Sequence, residues 1–159
     1  MPRLIYIETS IPSFYFDTRT AVELHARRNW TRRWWEQPTP DDQRLTSSVV
    51  LVELDRAPEP KRTQCMNLIS ALQFLPYTDG VAEIVATYHQ HKVMPAEASA
   101  DADHLALATF HRCDILLTWN CHHLANANKF PHIRRINALL GYATPQLITP
   151  LELLADENE

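Results

Sequence analysis

Four polar residues have the types and the sequence surroundings of ligands for a hard metal ion: Glu8, Glu53, Asp101 and Asn120. Glu8 and Asn120 each follow directly on an apolar, β-favouring run, residues 4–7 and 115–119. Glu53 lies inside the apolar segment VVLVEL, where a buried carboxylate is costly unless a cation or an arginine accompanies it. Asp101 lies near the start of ADADHLALATF, where a helix dipole favours a negative charge.

The chemistry that such oxygen ligands support is hydrolysis assisted by Mg²⁺ or Mn²⁺, which prefer carboxylate and carbonyl oxygens. Carboxylates held close together repel one another unless a cation lies between them. With that cation, a water of lowered pKa is available for attack on phosphorus. Two other interpretations stay open on the residues alone, namely an arginine partner for Glu53 and a simple helix-capping role for Asp101.

Smaller polar side chains stand beside these four residues in the sequence. Thr9, Ser10 and Thr118 can donate hydrogen bonds to ligating carboxylates and so orient them. His104, three residues after Asp101, lies on the same face of a helix and is either a supporting partner of the ligands or a satisfied core histidine. The cysteines and the neighbouring histidine pair at residues 122–123 lack the paired spacing of a zinc site.

The segments that must position these residues alternate between strands and helices. Predicted strands cover residues 4–7, 45–46, 74–77, 115–119 and 147–149. A helix starts near residue 10, and further predicted helices cover residues 19–36, 49–54, 61–72, 79–92, 97–112, 122–129 and 132–140. Asp79 is predicted to be a helix cap, and residues 37–44 a loose loop. This alternation favours an α/β fold with a mostly parallel sheet, in which ligands bind beyond the carboxyl ends of the strands.

The length and composition describe one ordinary globular domain. The 159 residues include 45% hydrophobic and 21% charged residues, enough to bury a core without disulfides or a metal. We expect residues 1–155 to form a single domain and residues 156–159 to form an acidic tail. The 2 glycines, Gly80 and Gly141, are far apart, which excludes the glycine-rich loops that cradle phosphates.

Several features of the sequence predict a cytoplasmic protein. The 3 cysteines are too few and too scattered for a disulfide framework. No apolar run reaches the length of about 18 residues that a membrane span needs, so we expect no membrane partner. The opening segment MPRLIYIETS becomes polar too early for a secretory signal.

The net charge of −4 argues against a protein that holds nucleic acid by bulk charge, although a local basic patch would allow a short contact. One such patch is predicted where arginines interleave with tryptophans: Arg27, Arg28, Arg32 and Arg33 with Trp30, Trp34 and Trp35. Arginine together with tryptophan suits single-stranded RNA through phosphate contacts and base stacking. The favoured alternative places the tryptophans in the core or at a dimer interface, with the arginines solvated.

The chain resembles PIN-domain proteins in four segments that occur in the family's order: IYIETSIPSF, SSVVLVEL, ADADHLALA and DILLTWNCHHLANAN. The resemblance extends over nearly the whole chain and is strongest to VapC-like toxins of type II toxin–antitoxin systems. It implies a three-layer α/β/α fold and a ribonuclease that depends on Mg²⁺ or Mn²⁺. It also implies an RNA substrate, a small antitoxin as a partner protein, and a homodimer.

The resemblance assigns the same four residues as metal ligands and catalytic residues. Glu8 stands where most PIN domains have an aspartate, and Glu53 and Asp101 match the next two acidic positions. Asn120 matches the polar residue that follows the threonine of the last core strand. The longer Glu8 and the neutral Asn120 depart from the family pattern and leave three charged ligands, which suits one metal ion. The alternative is a catalytically weakened PIN-fold binding or scaffold protein. A phosphatase of the haloacid dehalogenase type is disfavoured, because the Asp-Ala-Asp of residues 101–103 opens a late helix instead of following the first strand.

Overall fold

The computed structural model describes residues 1–154, and its centre is one sheet of five parallel strands. In chain order these are β1 (Arg3–Ile7), β2 (Asp42–Ser47), β3 (Gln73–Leu75), β4 (Ile115–Leu117) and β5 (Gln146–Ile148). They lie side by side in the order β3-β2-β1-β4-β5. The predicted α/β fold with a parallel central sheet is therefore confirmed.

Helices flank this sheet and complete the three layers of the predicted α/β/α arrangement. Within the described residues they are α1 (Ser10–Tyr15), α2 (Val22–Trp35), α3 (Ser48–Leu54), α4 (Lys61–Ile69), α5 (Asp79–Gln90), α6 (Ser99–Phe110), α7 (Phe130–Leu140) and α8 (Pro150–Leu153). A short 3₁₀ turn, Ala96–Ala98, precedes α6. In this part of the chain no helix has the length and apolar character needed to cross a membrane. The predicted domain boundary at residue 155 and the acidic tail 156–159 lie outside the described residues.

The alternation of side chains along β1 divides the core between the two faces of the sheet. Ile5 and Ile7 belong to the cluster that also contains Trp34 of α2. Tyr6 belongs to the opposite cluster, together with Tyr88 of α5. Because successive strand residues point to opposite faces, β1 is buried on both sides, as a strand of a parallel sheet needs to be.

The prediction of a helix over residues 122–129 is wrong, because side chains there satisfy the backbone in turns. Asn120 Oδ1 accepts hydrogen bonds from the backbone N–H groups of His122 and His123, at 3.2 and 3.0 Å. The Asn126 side chain donates to the carbonyl of His122 at 2.9 Å. Such local bonds compete with helix formation, and the segment runs as turns up to the start of α7.

The segment 37–44 is more ordered than predicted, since its last three residues belong to β2. The Arg3 guanidinium donates two hydrogen bonds of 2.9 Å to the Asp42 carboxylate, which join the first residues of β1 and β2. At α5 the capping residue is Thr78 and not the predicted Asp79, because the Thr78 hydroxyl accepts from a backbone N–H of the first turn. Both differences come from local polar bonds and leave the order of the strands unchanged.

Candidate functional site

The fold brings the four predicted polar residues to one edge of the sheet. Glu8 directly follows β1, and Asn120 lies shortly after the end of β4, which pairs with β1. Glu53 lies on α3, which begins directly after β2, the neighbour of β1 on its other side. Asp101 lies in the first turn of α6. Parallel strands end at the same edge of a sheet, which is where ligands of α/β folds bind.

Glu8 is held firmly at this edge, with only 5% of its surface exposed. Its Oε1 accepts hydrogen bonds from the hydroxyls of Ser10 and Thr118, at 2.6 and 2.8 Å. The backbone N–H of Ser10 donates to the same oxygen at 3.0 Å. Ser10 and Thr118, which the sequence predicted as supports of a carboxylate, thus both contact Glu8.

The Glu53 carboxylate belongs to a chain of hydrogen bonds that runs into the core. Its Oε1 accepts from the Thr9 hydroxyl at 2.6 Å and lies 2.5 Å from Nε2 of His104. The other ring nitrogen of His104, Nδ1, lies 2.8 Å from the Tyr6 hydroxyl, which is 2.7 Å from Ser47 Oγ. His104 is fully buried and contacts Glu53, so it is at once a core histidine and a supporting partner.

Burial and the neighbouring His104 shift the pKa values of the carboxylates at this site in opposite directions. Burial raises the pKa of Glu8 and of Asp101, and the nearby His104 offsets part of that rise. Burial also tends to raise the pKa of Glu53. The hydrogen bonds from His104 and Thr9 outweigh this effect, so the pKa of that carboxyl lies below its usual value. Burial opposes protonation of His104, yet the hydrogen bond to Glu53 and the surrounding carboxylates raise its pKa overall. The three carboxylates therefore favour the protonated form of the His104 ring, against the effect of its burial.

Asp101 and Asn120 are both half-buried, like Glu53 and unlike the buried Glu8. The largest effects on the pKa of Asp101 come from burial and from His104. The His123 ring and the Asn120 amide have smaller effects, and both lower this pKa. Asn120 Oδ1 is at the same time the acceptor of the turn at His122 and His123. The Asn120 side chain therefore shapes the turn that borders the site.

The donor set of this site matches Mg²⁺ or Mn²⁺ in its chemistry, since three carboxylates and an amide supply only hard oxygen atoms. Glu8, Glu53 and Asp101 are the residues that would hold the ion. Over residues 1–154, no three Asp, Glu, His or Cys side chains are already arranged as a metal-binding group. One available oxygen is Oε2 of Glu53, because the hydrogen bonds from Thr9 and His104 go to Oε1 and the side chain is 29% exposed.

The arginines predicted to bind RNA lie on α2, and most of them face other parts of the fold. Three are half-buried and the last is exposed: Arg27, Arg28, Arg32 and Arg33. The Arg27 guanidinium lies 5.2 Å from the centre of the Trp119 ring. Arg32 Nε donates to the carbonyl of Tyr15 at 2.7 Å. These contacts fasten α2 to α1 and to the end of β4, and RNA binding by this group stays a prediction.

The tryptophans of α2 belong to the core, as the alternative interpretation of this segment predicted. Trp34 is 5% exposed. Trp30 stacks on Trp119, with ring centroids 6.1 Å apart, and Trp35 packs against the same cluster. Their aromatic surface is therefore largely used by the fold itself.

Sequence reasoning missed Tyr6 and Ser47, which complete the hydrogen-bond chain below the site. The signal that could have found Tyr6 is its place in β1, between Ile5 and Ile7. A tyrosine hydroxyl in a buried strand needs a polar partner, and the strand alternation puts Tyr6 on the face opposite its two neighbours.

Neither comparison with known proteins identifies a relative of this chain. No model of a known protein family matches the sequence, and a search of curated proteins finds no significant match. The function is therefore argued from the residues of the site, their geometry and their charges.

Proposed function

We propose that this chain is a metal-dependent endoribonuclease of the PIN type, which hydrolyses RNA phosphodiesters with a water molecule. The observation that carries the proposal is the convergence of Glu8, Glu53 and Asp101 at the carboxyl edge of a parallel sheet. The charge of Glu53 raises the pKa of Asp101, and all three carboxylates act on His104. A purely structural role does not call for carboxylates within each other's electrostatic reach, since like charges repel.

The electrostatics favour a site that gains from a bound cation. Burial raises the pKa of Glu8 and Asp101, which means that their charged forms are costly in the folded chain. His104 is the base whose pKa all three carboxylates raise, and its protonated form balances at most one of their charges. A divalent ion bound there would supply a water of lowered pKa as the nucleophile and would stabilise charge on the phosphate oxygens.

The residues of the chain orient the reacting groups and form no covalent bond to the substrate. Hydroxyls of Ser10 and Thr118 fix one oxygen of Glu8. One oxygen of Glu53 is fixed in the same way by a threonine and by His104. The third carboxylate, in the first turn of α6, is half-buried and so stays open to an approaching phosphodiester. Positioned carboxylates of this kind lower the cost of organising the transition state.

The test compares RNA cleavage by the wild type, Asp101→Asn and the control Asp103→Asn, each at millimolar Mg²⁺ or Mn²⁺. Asp103 lies on the same helix but points about 200° away, and it accepts a hydrogen bond from Tyr77 at 2.8 Å. We expect Asp101→Asn to lower kcat by about 100-fold or more, and Asp103→Asn to change it by less than about twofold. Equal cleavage by the wild type and Asp101→Asn, or cleavage that survives chelation, would refute the proposal.

From the family resemblance we propose further that the ribonuclease acts in the cytoplasm as the toxin of a toxin–antitoxin pair and forms a homodimer. Expression of the wild type in a bacterial culture should then arrest growth, whereas Asp101→Asn should not. Co-expression with a small open reading frame adjacent to the gene should relieve the arrest. An unaffected culture would contradict the toxin role and leave the ribonuclease proposal to the cleavage assay.

A catalytically weakened binding or scaffold protein is the second candidate, and two observations favour it. The Asn120 amide oxygen is already used by a turn, and Glu53 already has a partner in His104, whose pKa the carboxylates raise. A calorimetric titration with Mn²⁺ separates the candidates. Binding at or below millimolar concentration supports the ribonuclease, whereas no binding, combined with RNA that is bound but not cleaved, supports the second candidate.

A further inference from the structure

A second surface of interest lies where the chain enters α7. It is a cavity of about 550 Å³ lined by His89, Lys92, Met94, Pro95, Ala96 and Lys129, called here the Lys92/Lys129 cavity. Ligand pockets have volumes of about 300–1,000 Å³, so this cavity is large enough for one. Two of the chain's 3 lysines lie here, at residues 92 and 129, and none of the six lining residues is acidic.

Two connections place this cavity next to the candidate site. Lys129 Nζ lies 3.3 Å from Nδ1 of His123, whose backbone N–H donates to Asn120 Oδ1 at 3.0 Å. On the other side, Ala96 belongs to the 3₁₀ turn that leads directly into α6, and the first turn of α6 carries Asp101. A polymer that crosses the carboxylates therefore meets the Lys92/Lys129 cavity with its neighbouring units.

The lining of the cavity combines an apolar floor with a cationic rim. The exposed Pro95 and Ala96 supply this apolar surface, while the adjacent Met94 is 3% exposed and belongs to the core. Apolar surface suits the flat face of an unstacked base, and lysine ammonium groups suit a phosphate. The walls are fastened to each other, because Nε2 of His132 on α7 lies 2.9 Å from the carbonyl of His91 at the end of α5.

Local positive charge is needed here because the chain carries a net charge of −4 and the site itself is lined by carboxylates. A phosphodiester is repelled by both, so its approach depends on cations close by. The α2 arginines are less suited to this task, since Arg27 lies over Trp119 and Arg32 donates to a carbonyl of the fold. Lys92 is exposed and Lys129 half-buried, so both can reach a phosphate.

We infer that the Lys92/Lys129 cavity binds one nucleotide of single-stranded RNA beside the scissile bond, with the base on Pro95 and Ala96 and a phosphate on the two lysines. This inference rests on the proposed function and names a substrate subsite for it. Neither lysine touches the reacting phosphodiester, so both are binding residues. Double-stranded RNA, which hides its bases in a stacked helix, should gain little from the apolar floor.

The experiment measures the binding of a fluorescent single-stranded RNA by anisotropy in the Asp101→Asn chain, in which cleavage is expected to be removed. Lys92→Asn and Lys129→Gln are combined, and asparagine is chosen at position 92 because the backbone φ there is 55°. The matched control is Lys61→Gln, which changes the remaining lysine at the start of α4. We expect the double variant to bind at least about 10-fold more weakly, and the slope of log affinity against log salt to fall by about 0.7, since one phosphate contact is lost. The control should bind like the parent chain.

Each outcome separates the subsite from the proposed function. Equal affinity in the double variant and the Lys61→Gln control overturns the subsite, while cleavage by the wild type still upholds the ribonuclease. Lysine-dependent binding without metal-dependent cleavage upholds the subsite surface and overturns the ribonuclease. Affinity lost equally for double-stranded RNA overturns the assignment of an unstacked base. Absence of RNA binding by the parent chain overturns the subsite, while the ribonuclease is still judged by wild-type cleavage. Thermal melting of the double variant shows whether it is folded, and Lys129→Arg should keep most of the affinity.

Discussion

At the scale of single residues, His104 shows how one buried side chain serves both the core and the candidate site. Its ring nitrogens lie 2.8 Å from the Tyr6 hydroxyl and 2.5 Å from Glu53. A buried polar atom that loses its partner costs about 1–3 kcal/mol, whereas an exposed one is solvated again at little cost. The stability of this network is therefore concentrated in its buried members.

Replacing Tyr6 by phenylalanine tests this argument. Tyr6→Phe should lower the free energy of unfolding by about 1–3 kcal/mol, because His104 Nδ1 and the Ser47 hydroxyl both lose a partner. The matched control is Tyr77→Phe, which removes a hydroxyl bonded to Asp103 at the surface and should cost less than about 0.5 kcal/mol. Urea unfolding of the variants measures both values. Equal losses would show that the buried bonds of Tyr6 contribute nothing beyond a surface bond.

The sequence could predict which polar residues come together at this edge of the sheet, because they carry local signals. Glu8 and Asn120 follow apolar runs, and Ser10 lies beside Glu8 in the chain. The partners within the core carry no such signal. Tyr6 and His104 meet only because β1 packs beneath α6, which depends on the crossover connections of the whole sheet.

At the scale of elements, the strands with uninterrupted apolar runs are the ones that the sequence located well. β1 and β4 begin within a residue of the predicted positions. β2 begins three residues earlier than predicted, because its polar first half pairs with β1 and carries Asp42. The helix predicted at residues 122–129 is absent for a different reason. The composition there is compatible with a helix, but asparagine side chains bond to the backbone and hold it in turns.

The ion pair between Arg3 and Asp42 makes the start of β1 and β2 sensitive to acid. The hydrogen bonds from Arg3 hold the pKa of the Asp42 carboxyl below its usual value. An aspartate of this kind stabilises the fold above its unfolded pKa, about 3.9, and loses that contribution as the pH falls through its folded pKa. Because the Arg3 side chain is 47% exposed, the contribution should stay below about 1 kcal/mol.

Asp42→Asn should therefore lower stability at neutral pH and flatten the fall of stability between about pH 4 and pH 2. Guanidinium or urea midpoints measured across that range give the slope directly. The control Asp41→Asn changes the adjacent exposed carboxylate and should keep the wild-type slope. If both variants keep the wild-type slope of stability against pH, the Arg3–Asp42 pair does not contribute to the loss of stability in acid.

At the scale of the whole molecule, two buried cysteines lie in separate hydrophobic clusters. Cys65 belongs to the small cluster of α3 and α4, and Cys113 belongs to the large cluster that contains α5 and α6. Burial raises the pKa of the Cys65 thiol to about 11 and that of Cys113 to about 12. Native thiolate at either position is therefore scarce near pH 8, and both thiols can react only when the surrounding structure opens.

If the described chain unfolds as one cooperative unit, the two buried thiols should become reactive together. In a Cys121→Ser chain, which lacks the exposed thiol, we expect a disulfide reagent at pH 8 to label Cys65 and Cys113 at rates within about threefold of each other. Mass spectrometry of the labelled peptides measures both rates in the same molecules. A ratio above about 10 would correspond to a difference of about 1.4 kcal/mol between two opening reactions. It would show that the α3–α4 cluster opens separately from the rest, against the prediction of one domain.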